Sequence, residues 1–153
     1  MFRSFLLLLV PVLLASAPAS SQPLLEEAKA FNPFSETSMA VTGPVILSTD
    51  RMVFETGRFL DLKVLDHEAS GKWGISGDLP SAQLFQVIGD AGPLRQGNTL
   101  CGDEPVTHMA AWSENVFGYN FLVIAMFIGM AVPSDVTDET MCAIYVYSIG
   151  VDD

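Results

Sequence analysis

"RFLDLKVLD", Arg58–Asp66, sets Leu60, Leu62 and Val64 against Asp61 and Lys63. Apolar and charged residues alternate with the period of two of an extended chain that has one wet face, so the stretch predicts a β-strand. The same texture recurs on both sides of it. From Met39 onward, short apolar runs read "MAVTG", "PVILS", "RMVFE", "KWGIS", "AQLFQVIG", "VTHMAAW", "YNFLVIAMFIG" and "CAIYVYSIG", broken by Gly, Pro, Asp or Asn. Breaks spaced by roughly ten residues predict an all-β fold, a small barrel or sandwich of about seven to nine mostly antiparallel strands. "EASGKW", "VIGDAGPL" and "LRQGNTL" place Gly beside Asp, Asn or Ser, the chemistry of tight hairpin turns.

One segment carries no period. "FLVIAMFIGMAV", Phe121–Val132, is apolar at both odd and even positions. Its β-branched and aromatic content, Gly129 within it and Pro133 after it predict a strand covered on both faces, with a buried helix as the alternative. It is short of the roughly 20 residues that a spanning helix needs.

Residues 1–19 read as a cleaved secretory signal. Arg3 precedes the apolar run Phe5–Leu14, and Ala15-Ser16-Ala17 or Ala17-Pro18-Ala19 supplies the small-x-small site. Pro11 interrupts the run, which argues against a retained anchor. The expected compartment is therefore periplasmic or extracellular. Residues 20–38 are read as a lead-in that can form a short helix over Leu24–Phe31, stopped by Pro33. Residues 39–153 are read as a single β domain, a size that one core can support.

Without Arg3, the chain holds six bases against 18 acids, a formal charge of −12. That balance repels phosphate backbones and anionic lipid head groups, so neither nucleic acid nor, after cleavage, a membrane is an expected partner. A basic envelope or secreted protein fits it, but such a charge also simply keeps a secreted protein soluble, and that is the preferred reading of the charge alone. Oligomeric state is not legible.

Two cysteines, Cys101 in "NTLCGDEP" and Cys142 in "MCAIYVYS", form an even count in an exported chain, which predicts one disulfide. Asp103 and Glu104 oppose the thiolate that a reactive Cys101 would require. His67 and His108 lack a metal-ligand spacing, and "DVTDET", Asp135–Thr140, lacks the Gly and final acid of a calcium loop, so no metal and no cofactor is expected. Ser76 in "WGISGD" stands in G-x-S-G rather than G-x-S-x-G, and reads as a turn. Catalytic residues are expected to be none. Trp73, Trp112, Tyr145 and Tyr147 are either packing residues or the lining of a ligand pocket.

"VTGPVILSTDRMVFETGRFLDLKVL", "GNTLCGDEPVTHMAAW", "FLVIAMFIG" and "CAIYVYS", in this order, resemble a group of small exported bacterial proteins of uncharacterised function. The resemblance, sharpest in the G-N-x-L-C-G turn and the late C-x-x-Y strand, implies a compact β domain with a disulfide. "LKVLDHEASGKW" is also similar to the L-x-x-V-x-x-x-x-G-x-x-Y segment of periplasmic lysozyme inhibitors. That family's early Y-x-C pattern is absent, and both cysteines lie late. The expectation is a non-enzymatic interaction module that binds or inhibits an envelope protein. The alternative is a small-ligand carrier with an aromatic-lined barrel cavity.

Overall fold

The structure, a computed structural model, describes Leu25 and residues 27–149; the signal and cleavage sites read above lie outside these residues. The elements in order are β1 Lys29–Pro33, α1 Glu36–Val41, β2 Val45–Leu47, β3 Arg51–Phe54, β4 Phe59–Trp73, β5 Leu79–Ile88, β6 His108–Val116, β7 Tyr119–Phe127 and β8 Met141–Ser148. Each strand pairs antiparallel with the next, and β8 pairs with β1 to close a barrel. Of the two all-β architectures expected, the barrel is the one formed.

Parity along β7 explains its lack of period. Leu122, Ile124 and Met126 point into the barrel, where they meet Leu47, Met52, Phe85, Met109, Tyr145 and Tyr147. Val123, Ala125 and Phe127 point outward into a second apolar cluster with Trp73, Leu84 and Trp112. A strand buried on both faces has no polar side to alternate with. The helix alternative for Phe121–Val132 is thereby set aside, and the strand ends at Phe127, with Gly129 at φ +85° in the turn beyond.

The second cluster exists because the β4–β5 hairpin is longer than the barrel needs. β4 runs for 15 residues. Its register against β5 shifts between Val64 and Asp66, between Asp66 and Ala69, and between Ser70 and Trp73. Such bulges bend and twist a strand, and here the distal half turns back over the outer face of β6 and β7 as a flap. Trp73 is fully buried beneath it, 6.2 Å from the Trp112 ring and 6.4 Å from that of Phe127, with its indole N–H donating to the Ala69 carbonyl at 2.9 Å. The Val136 N–H donates to the Lys72 carbonyl at 3.2 Å, tying the β7–β8 connection to the flap.

The bulges also correct the reading of "EASGKW" as a hairpin turn and of "KWGIS" as a strand of its own. His67, Gly71 and Trp73 all belong to one strand, and the reversal comes at Gly74–Asp78. Each bulge resets which face a residue takes, so the alternation breaks without the strand ending. Gly71 serves close approach: a Cβ there would collide with the Ser134 carbonyl oxygen and lie 2.8 Å from the Trp73 indole nitrogen. Gly71→Ala is expected to destabilise the fold by about 1–3 kcal/mol, as overpacking does. A denaturation midpoint equal to that of the parent would contradict this contact.

The N-terminal reading needs two corrections. Lys29–Pro33 is a barrel strand, so the β domain begins before Met39, and the short helix forms at Glu36–Val41 rather than Leu24–Phe31. Asn32-Pro33 blocks helix propagation, while Phe31 is buried in register with Val45. Ser35 then caps α1 by accepting the Ser38 N–H at 3.2 Å, and "MAVTG" becomes the helix end and its turn. The six-residue helix leaves carbonyls unpaired, and Arg95 and Asn98 satisfy those of Met39 and Ala40. The β1–β8 seam is short, and the Phe34 and Ser35 N–H groups extend it by donating to the Val146 carbonyl.

Candidate functional site

Tyr145 and Tyr147 stand inside the barrel, whereas Trp73 and Trp112 stand outside it. The four aromatics therefore cannot line one chamber, because strand parity separates them by the thickness of the sheet. The Tyr145 hydroxyl donates to the Leu100 carbonyl at 2.7 Å, and Tyr147 shares a 2.8 Å hydrogen bond with Thr42. Both rings are buried among the apolar side chains of the interior. Burial pushes the Tyr145 phenol up to about 12, and pushes that of Tyr147 up as well, against the opposing effect of its bond to Thr42.

A raised phenol contributes stability that is complete below its unfolded value of about 10 and is lost as pH climbs through the folded value. We therefore expect stability to decline above about pH 10, with tyrosinate absorbance from these two residues rising together with loss of the β signal. Their titration at intact far-ultraviolet dichroism would show the rings to be solvated.

The predicted disulfide is formed. Cys101 and Cys142, with Cα atoms 5.4 Å apart, join the connection before β6 to β8. His67 is exposed on β4 with Nδ1 at 3.2 Å from Gln83 Nε2, and His108 is buried on β6 beside Thr107, its pKa lowered by desolvation. Among the described residues no three His, Cys, Asp or Glu side chains gather as a metal-binding group. Asp135 and Asp138 each accept a backbone and a hydroxyl hydrogen bond from the Thr two residues on, which holds both carboxyls below the usual range. Ser76 sits in the β4–β5 turn, closed by the Gly77 N–H on the Gly74 carbonyl at 3.0 Å.

The surface feature with chemical character lies elsewhere. The flap covers only part of the outer face of β7 and β8, and beyond it two adjoining depressions of about 490 and 410 Å³ share Phe34, Tyr119 and Phe121. Phe121, Val123 and Val146 form the floor, Ile75 at the flap tip one wall and Phe34 another, its ring 4.5 Å from that of Phe121. Among the described residues Glu114 is the one charged residue that lines them, and its Oε2 accepts both the Ile75 N–H at 3.1 Å and the Trp112 indole N–H at 2.9 Å. A single carboxylate thus pins the flap tip against β6.

At the rim, the β6–β7 turn consists of Phe117 and Gly118, with φ +51° and +85°. Positive φ at both central positions is the type I′ form of a two-residue hairpin, which favours Asn or Asp before Gly. Phe here is strained by its Cβ and is 97% exposed, with Tyr119 beside it 71% exposed. The turn is held firmly: Asn115 accepts the Gly118 N–H at 3.2 Å and donates to Asn120 Oδ1 at 2.8 Å.

None of Phe34, Ile75 and Phe117 was expected as a site residue. The available signal was the pair Phe117-Gly118 between two strands, where turn chemistry calls for Asn-Gly or Asp-Gly. Compared with known proteins, the chain matches no family model, and no curated protein or solved structure is significantly similar to it.

Proposed function

We propose that this chain is an exported, non-enzymatic interaction module that binds or inhibits an envelope or secreted protein through the groove and its Phe117 rim. One observation carries the reading. Phe117 combines an aromatic ring in water with a left-handed backbone, two costs that folding of the barrel does not recover. An intermolecular contact removes the ring from water, and its free energy offsets the strain of the turn. The carrier reading has no comparable support, because Tyr145 and Tyr147 are buried inside the barrel while Trp73 and Trp112 lie outside it.

The test is a photo-crosslinking phenylalanine analogue placed at residue 117 in cells producing the protein, with residue 59 as control. Phe59 is 46% exposed and opens β4, whereas the groove wall Ile75 follows the end of that strand. A discrete protein adduct at 117 and none at 59 is expected. Absence of an adduct at 117 would overturn the reading. Phe117→Asn supplies the matching variant: Asn tolerates the turn, so stability holds or rises by a few tenths of a kcal/mol while partner capture falls. The lysozyme-inhibitor form of the proposal further expects inhibition of a lysozyme at micromolar protein.

A further inference from the structure

We infer that the open edge of β6, at the margin of the groove, receives an extended, basic segment of the partner as an added strand. This rests on the interaction-module reading and names the chemistry of its ligand. β5 pairs with β6 only from Gln83↔Ala111 to Gln86↔His108, then departs into the flap, whereas β7 accompanies β6 to Val116↔Tyr119. Among the described residues, Trp112–Val116 therefore has a strand neighbour on one side only.

The two-residue turn makes Val116 and Tyr119 a hydrogen-bonded pair, and by alternation Ser113 and Asn115 direct their N–H and C=O groups to the open side. The Ile149 N–H bond to the Asn120 carbonyl fits the same alternation on the far side of β7. Strand addition satisfies such an edge, with alternate side chains entering an adjoining pocket. On the outward face these side chains stand beside Glu114, at the β6 margin of the groove.

Charge decides between occupants. Among the described residues no basic one lines the groove, and Lys72, on the flap, lies in electrostatic reach of Asp135. Both hydrogen bonds of Glu114 go to Oε2, leaving Oε1 without a partner among the described residues. A Lys or Arg opposite Glu114 completes that carboxylate. A second copy of this chain paired antiparallel about Glu114 would instead set the two carboxylates against each other, which is unfavourable.

The experiment titrates the isotope-labelled oxidised protein with the blocked peptide Lys-Phe-Lys-Phe-Lys, and separately with Glu-Phe-Glu-Phe-Glu, following amide chemical shifts. Saturable shifts centred on Ser113–Tyr119 with the basic peptide alone are expected. Ser113→Pro, which removes an edge N–H that β7 does not use, should keep the fold and weaken binding about tenfold, the worth of roughly one hydrogen bond.

Equal binding of the acidic peptide, unaltered binding by Ser113→Pro, or shifts confined elsewhere would overturn the inference. So would a concentration-dependent dimer through Ser113–Val116 without peptide, which would assign the edge to a second copy. An adduct at residue 117 with no peptide binding sinks this inference and leaves the interaction module standing. Peptide binding with no adduct at 117 would overturn the Phe117 rim as the contact and leave only the β6 edge as a peptide-binding site.

Discussion

Removing the Cys101–Cys142 bond by the double change to Ser lowers the unfolding free energy by about 4 kcal/mol, the chain-entropy value for its 41-residue separation. Domains of this size are stable by roughly 5–15 kcal/mol, so the loss takes a large fraction of the total. The bond acts at a vulnerable place. The connection from Gly89 to Thr107 has no strand of its own, yet it supplies buried Ala91, Leu94, Leu100 and Val106 to the interior and the carbonyl that receives Tyr145. Urea titrations of oxidised, reduced and doubly substituted protein read the effect. The midpoint should fall while the slope stays equal or rises, because the unfolded chain is no longer cross-linked. An unchanged midpoint would mean that the connection is held by its apolar anchors alone.

Trp73→Ala carries the second large effect, about 3–5 kcal/mol by the precedent of buried aromatic deletions. Its consequence should be local in structure. Trp73 joins the flap to Trp112 and Phe127, whereas the barrel is closed by the β1–β8 seam. Without the indole, the flap loses its anchor and uncovers Val123, Ala125 and Phe127. Hydrogen exchange should quicken across Ala69–Leu79 while the interior face of β7 stays protected. The groove loses its Ile75 wall in the same step, so partner capture falls with it. Trp73→Phe, which keeps a ring but not the bond to Ala69, should cost less. Uniform loss of protection through the barrel would show instead that flap and barrel unfold as one unit.

The sequence read best where a residue's role depends on near neighbours. Leu60, Asp61, Leu62 and Lys63 alternate as a strand must, and the polar breaks placed most turns. The two cysteines predicted the cross-link that the fold contains. Reading failed at "DHEASGKW", because three register shifts change which face each residue takes and mimic a loop. It failed again at Lys29–Pro33, where pairing with Val45–Leu47 and with Tyr147–Ser148 outweighs a weak local helix tendency.

The candidate site was less legible than the fold. Its floor residues are ordinary strand residues in the sequence, and only the course of the flap decides which of them stay covered. Alternation, turn residues and cysteine count are short-range properties, and by themselves they determined an all-β chain with a covalent staple. Closure into a barrel, the separation of the tryptophans from the tyrosines, and the groove beside the open edge of β6 were decided by tertiary structure alone. They depend on register and on where a bulged hairpin folds back, and contacts between distant strands set both.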